Sequence, residues 1–226
     1  MSETRQPGPS APSPARPEPP PETREPTRRL FFALWPDAGQ RAALVHATRK
    51  AVRSSGGRPV PEESLHVTLA FLGSVPERRV AELQAIARRV AEAPEAGGAP
   101  MPVSFDRLVH WAKPRILCAL DALPSGGTDA AGAPRGGALA GAPALALAES
   151  LKGETTARGF SPDLKPFHAH VTVARKVAHA PAAQPLSPVP WTFDAFALIE
   201  SRTEPTGPVY SVIESYLLGK TENEHE

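Results

Sequence analysis

Two hydrophobic rhythms take turns along this chain. Leu30 to Trp35 is an unbroken apolar run between arginines and Pro36, which reads as a buried strand. Pro36-Asp37 then opens a stretch in which Leu44, Val45, Thr48, Ala51 and Val52 share one helical face, and Gly56-Gly57 ends it. A β-branched, apolar segment over about 64–72 predicts the next strand, with Gly73 to Pro76 as a turn. Glu77 to Ala93 carries Val80, Leu83, Ile86, Ala87 and Val90 at helical spacing, and Pro94 with Gly97-Gly98 stops it. In Met101 to Val109 the period returns to two, with Met101, Val103 and Phe105 on one face.

The pattern then restarts. Arg115 to Leu120 reads as a strand, Ala144 to Arg158 as a helix weakened by Gly153, and Pro166 to Arg175 contains another β-branched strand. Further strands are predicted around Trp191–Glu200 and Val209–Leu218. The order strand, helix, strand therefore occurs twice. That is a pseudo-repeat at the level of secondary structure, and it suggests two related lobes facing each other across one cleft. Three segments fall outside the repeat. Residues 1–27 hold nine of the 28 prolines and almost no large apolar side chain, which predicts a disordered tail. About 124–143 is rich in Gly, Ala, Ser and Pro and reads as a flexible insertion. Residues 220–226 are polar and read as a disordered end, leaving 28–219 as the folded domain.

Composition narrows the setting. With 226 residues and a formal net charge of +1, the chain has room for one ordinary domain and carries no strongly basic stripe. Cys118 is the single cysteine, so no intrachain disulfide and no cysteine-based zinc site can form. No apolar run approaches the length of a membrane span, and no signal-type segment opens the chain. A cytoplasmic monomer with no obligate protein partner is the expectation.

The chemistry lies in two echoes: His66-Val67-Thr68-Leu69 and His170-Val171-Thr172-Val173. On a strand, alternation puts His66 with Thr68, and His170 with Thr172, on one face, while the aliphatic residues enter a core. Facing each other, the two strands would bring two imidazoles and two hydroxyls into one cleft. Imidazoles change charge near neutral pH and suit paired acid–base work, and hydroxyls suit anionic oxygens. Together they suggest a phosphate ester held symmetrically, with one imidazole deprotonating the nucleophile and the other protonating the leaving oxygen. A bound nucleotide without chemistry is the alternative. His168 and His170 form an H-x-H that could ligate a metal, but no carboxylate or cysteine set completes it. Strict parity places Arg175 opposite Thr172, off the site, unless a bulge intervenes.

These residues carry a resemblance. The paired H-x-T-x motifs resemble the two-histidine (2H) phosphoesterase superfamily, specifically its bacterial RNA 2',3'-cyclic phosphodiesterases, the 2'-5' RNA ligase or LigT-like proteins. The flanks agree: Arg29-Leu30-Phe31-Phe32-Ala33-Leu34-Trp35-Pro36, Ala70-Phe71-Leu72-Gly73, Pro166-Phe167 and Ala174-Arg175. The resemblance spans about residues 29–218. It implies an α+β fold of two pseudo-symmetric lobes, with antiparallel sheets lining a central cleft and helices outside, and hydrolysis of RNA 2',3'-cyclic phosphate ends to 2'-phosphates, with 2'-5' ligation as a further activity of such proteins. It implies His66 as proton donor, His170 as proton acceptor, and Thr68 and Thr172 as phosphate ligands; since no ligand set extends the H-x-H, no metal and no cofactor are expected.

Overall fold

The computed structural model describes residues 25–93, 100–121, 142–181, 185–205 and 207–219. The predicted C-terminal end, nearly all of the predicted tail and most of the insertion lie outside those residues. Nine strands and three helices follow in order: β1 (Thr27–Leu34), α1 (Ala38–Ser54), β2 (Arg58–Pro59), β3 (Val67–Pro76), α2 (Val80–Glu92), β4 (Met101–Trp111), β5 (Ile116–Asp121), α3 (Ala142–Ala157), β6 (His170–Arg175), β7 (Pro185–Phe193), β8 (Ala195–Glu204) and β9 (Gly207–Leu217). They form two antiparallel sheets, β3-β1-β8-β9 and β2-β6-β5-β4-β7.

The local chemistry explains most boundaries. Asp37 caps α1: its carboxylate accepts from the Gln40 amide at 2.7 Å, and the Gln40 side chain accepts from the Asp37 amide at 3.0 Å. The periodic face of α2 is buried as the spacing predicts, with Leu83, Ile86 and Ala87 fully shielded. Pro76 sets a single 3-10 turn over Glu77–Arg79 before that helix begins. The expected strand at 191–200 is two strands, β7 and β8, separated at Asp194. The expected strand at 64–72 lies three to four residues further on and runs through the expected turn at Gly73 to Pro76, because a 3-10 turn at Glu62–Ser64 occupies its start. β2 was not anticipated: two residues, one of them proline, carry no alternation to read.

The repeat is interlocked. In the first unit β1 pairs with β3, and in the second β5 pairs with β6. The helices cross over: α1 packs against β6 and β7 of the second sheet, while α3 packs mainly against β3 of the first and also touches β4 of the second. The Trp191 indole in β7 donates to the Gln40 carbonyl of α1 at 2.8 Å. One large apolar core therefore draws on both units, from Phe32 and Leu69 to Phe105 and Trp191. The other face of β1 buries Phe31 and Ala33 against Ala197 and Ile199 of β8, and this smaller cluster floors the space between the sheets.

Candidate active site

The motif strands lie at or next to the sheet edges, and β3 comes up against β6 across that space. Alternation acts as anticipated. Val67, Leu69, Val171 and Val173 are buried, while His66, Thr68, His170 and Thr172 line one cleft of about 490 Å³. His66 sits one residue before β3, in the same alternation.

Directly after each threonine the alternation breaks, and it breaks the same way twice. On β6, Cys118 faces Thr172 while Leu117 faces Ala174, so one extra residue is inserted at Val173. On β3, Phe32 faces Ala70 while Ala33 faces Thr68, so one extra residue is inserted at Leu69. Each bulge leaves two consecutive residues in the core, Val173-Ala174 and Leu69-Ala70. The residue that follows is thereby turned onto the cleft face. Arg175 and Phe71 both line the cleft. The parity rule alone misplaces Arg175; the bulge corrects it. An amide from the loop beyond β2 supports the insertion, Val60 N–H donating to the Val173 carbonyl at 3.0 Å.

The two histidines are anchored alike. Nδ1 of His66 lies 2.8 Å from the Ser64 carbonyl, and Nδ1 of His170 lies 2.8 Å from the His168 carbonyl. A carbonyl only accepts, so each Nδ1 carries the hydrogen and each Nε2 is left for the cleft. The surroundings of the two rings differ in detail. His66 is boxed by aromatic rings: Phe31 and Tyr210 at 5.0 Å each and Trp35 stacked at 5.6 Å. His170 has Trp111 at 4.8 Å. Burial pushes the His66 pKa down to about 4, against the pull of its Ser64 hydrogen bond and with Arg175 and His170 pushing the same way. Burial also lowers His170. In the free protein at neutral pH both imidazoles are therefore uncharged.

The remaining walls supply positive charge and donors. Arg29, one alternation from Phe31 on β1, lines the cleft with its guanidinium 4.7 Å over the Phe71 ring. Ser201, Thr203 and Tyr210 line the side formed by β8 and β9. None of these four was singled out from sequence, although Arg29 could have been found by stepping two residues back from the cleft-facing Phe31. Cys118 is buried beneath the site, its sulfur 3.8 Å from the Thr172 hydroxyl, and burial raises its thiol pKa to about 11, so it stays a protonated thiol. His168 is exposed; its carbonyl anchors His170, and electrostatically it adds to the lowering of the His170 pKa by burial. No three His, Cys, Asp or Glu side chains come together as a metal-ligand set among the described residues. No described helix is long and apolar enough to cross a membrane.

The chain matches the model of the LigT like Phosphoesterase family over residues 34–118 and 140–210. A Thermus thermophilus protein named RNA 2',3'-cyclic phosphodiesterase is 36% identical over 200 residues, covering 84% of this chain and 90% of the relative. An Escherichia coli protein of the same name is 27% identical over 158 residues, 70% of this chain and 77% of the relative. Among solved structures, one from Thermus thermophilus superposes with a TM-score of 0.65 at 31% identity, covering 84% of this chain and 98% of that one. Escherichia coli LigT complexed with 3'-AMP superposes with a TM-score of 0.68 at 24% identity, over 86% of this chain and all of that one, which supports the fold.

Proposed function

The chain belongs to the LigT-like phosphoesterase family, and from that premise we propose that it is an RNA 2',3'-cyclic phosphodiesterase, opening terminal cyclic phosphates to 2'-phosphates. One observation carries the reading of the site: two imidazoles, each held through Nδ1 by the carbonyl two residues back, offer two Nε2 atoms to one cleft that also contains two threonine hydroxyls and two arginines.

In this reading His170 Nε2 takes a proton from water as the water oxygen attacks phosphorus. The phosphorus–O3' bond breaks, and His66 Nε2–H passes its proton to O3'. The products are a 2'-phosphomonoester and a free 3'-hydroxyl. The proton gained by His170 and lost by His66 is re-equilibrated through solvent. Thr68 and Thr172 donate to the non-bridging oxygens, and Arg29 and Arg175 balance their charge. The depressed pKa of His66 fits this role, because a bound phosphate anion favours the protonated imidazole and so loads the acid when substrate arrives. Action on RNA ends in the cytoplasm as a monomer goes with this reading.

Incubation with a nucleoside 2',3'-cyclic phosphate, followed by phosphorus NMR, tests it. Accumulation of the 2'-phosphomonoester is expected. No turnover, or a 3'-phosphate product, would overturn the assignment; binding without turnover would mark a nucleotide-binding module instead.

A further inference from the structure

Beside the catalytic cleft lies a second cavity of about 730 Å³, within the size range of ligand sites. The two are contiguous: Val60, Ser64, Arg175, Gly207, Pro208 and Tyr210 line both. One wall of the second cavity is basic, carrying Arg41, Arg58, Arg175 and Lys176 against the acidic Glu63 and Glu204.

The placement of these cations is costly without an anion. Arg58 on β2 is paired with Arg175 on β6, two like charges directly opposite each other in an antiparallel ladder. Neither forms an ion pair among the described residues. Arg41, on the first turn of α1, has its Nε and Nη2 buried without a hydrogen-bond partner and its guanidinium 5.2 Å from the Trp35 ring. Asp37, Glu62 and Glu63 act on Arg41 electrostatically, yet burial outweighs them and its pKa is lowered. Lys176 sits in the left-handed region at φ 53°, rare for a residue with a side chain, at the point where β6 leaves the sheet. The lining contributed around β8 and β9 is mostly apolar: Pro205, Pro208, Val209 and Val212, the last 45% exposed.

A cavity lined by cations from α1, β2 and β6 and by apolar residues around β8 and β9, continuous with a site for a terminal phosphate, matches one nucleotide of an RNA strand: a phosphodiester on the arginines and a base on the prolines and valines. Resting on the phosphodiesterase reading above, we infer that this cavity holds the nucleotide upstream of the cyclic end, and that the enzyme selects RNA termini over free cyclic mononucleotides. Arg58 and Arg41 bind the internucleotide phosphate, and Pro205, Pro208, Val209 and Val212 receive the upstream base.

The test compares kcat/KM on a nucleoside 2',3'-cyclic phosphate and on a dinucleotide with the same cyclic end, for the wild type, Arg58→Gln and Arg41→Gln. A charge-assisted contact is worth about tenfold or more, so the wild type should prefer the dinucleotide by at least about tenfold, mainly through KM. Each variant should lose most of that preference, and Arg58→Gln should flatten the salt dependence for the dinucleotide by about one phosphate contact. Equal kcat/KM on the two substrates, or a preference unchanged in both variants, would overturn the inference. If neither substrate turns over, the catalytic reading has failed, and affinity decides the cavity separately. Fluorescence anisotropy with a labelled dinucleotide 2'-phosphate should then show binding that weakens in Arg58→Gln; equal affinity in wild type and variant would end the proposal.

Discussion

His66 is uncharged in the free protein because its ring lies among Phe31, Trp35 and Tyr210, and that has a measurable consequence for folding. In the unfolded chain an imidazole titrates near 6.5; in the fold His66 titrates at about 4. Between these values the unfolded state binds more protons, so stability is complete above about pH 6.5 and is lost as pH falls towards 4. A gap of this size is worth roughly 3 kcal/mol in full, of which about 2–3 kcal/mol is already lost near pH 4.5. His66→Asn removes the titration and keeps a side-chain N–H near the position of Nδ1, able to donate to the Ser64 carbonyl. At neutral pH the variant should be less stable by about 1–2 kcal/mol, the cost of removing a packed ring. Near pH 4.5 that deficit should vanish or reverse, because the wild type alone carries the His66 penalty. His170 also has a lowered pKa but is common to both proteins, so only its charge coupling to His66 remains in the difference. Urea unfolding followed by circular dichroism at the two pH values gives the quantity directly. Parallel losses in wild type and variant, or a His66 NMR titration midpoint near the ordinary imidazole value, would refute the argument.

Three further outcomes are expected. His66→Ala and His170→Ala should each lower kcat by about 10²–10⁴-fold, the double mutant should lose far less than the product of the two, and Thr68→Val or Thr172→Val should lose less than either histidine variant; multiplying losses would show two independent sites. The optimum of kcat/KM should lie at lower pH than that of kcat, since the first reports imidazoles depressed by burial and the second imidazoles raised by a bound anion; coincident optima in a pH–rate series would count against charge loading by substrate. A chain beginning at Glu25 should keep the thermal midpoint and kcat of the full chain, because residues 1–24 are proline-rich and poor in large apolar side chains, and it retains both the Pro26 carbonyl that accepts from Glu77 N–H and the Glu25 carboxylate that pairs with Arg78; a lowered midpoint on removal of residues 1–24 would assign them a structural role.

Much of the architecture was legible because its signals are local. The buried stripe of α2, the Asp37 cap and the alternating Met101, Val103 and Phe105 each follow from residues within one element. The four motif residues were legible for a further reason: the same H-x-T spacing occurs twice, and alternation alone puts each pair on one face. What could not be read depends on partners distant in sequence. The exchange of α1 and α3 between the two sheets is a property of tertiary packing, since an apolar helical face does not name the sheet it will cover. β2 exists only because β6 is there to pair with it. The anchoring of each imidazole by a carbonyl two residues back involves backbone, which leaves no mark in side-chain pattern.

The doubled bulge explains why strict alternation succeeds for four residues and then fails at the fifth. A cleft-lining strand must satisfy two demands: a polar face that reaches the substrate, and an apolar face continuous enough to hold the sheet on the core. With alternation alone, the position after Thr172 that returns to the cleft would be Ala174, and Arg175 would point into the core. A buried, unpaired guanidinium is far more costly than one displaced residue in a ladder. Inserting Val173 reverses the outcome: Val173 and Ala174 both enter the core and Arg175 reaches the cleft. On β3 the same insertion buries Leu69 and Ala70 and delivers Phe71, whose ring lies beneath the Arg29 guanidinium. The two strands thus use one backbone device with different cargo, a cation on one side and a platform for a cation on the other. The sequence mark of the device is two consecutive apolar residues after H-x-T, followed by a residue suited to the cleft. His66 to Phe71 and His170 to Arg175 both carry it, so a pattern that first reads as a broken alternation is the signature of a site with an arginine at each side.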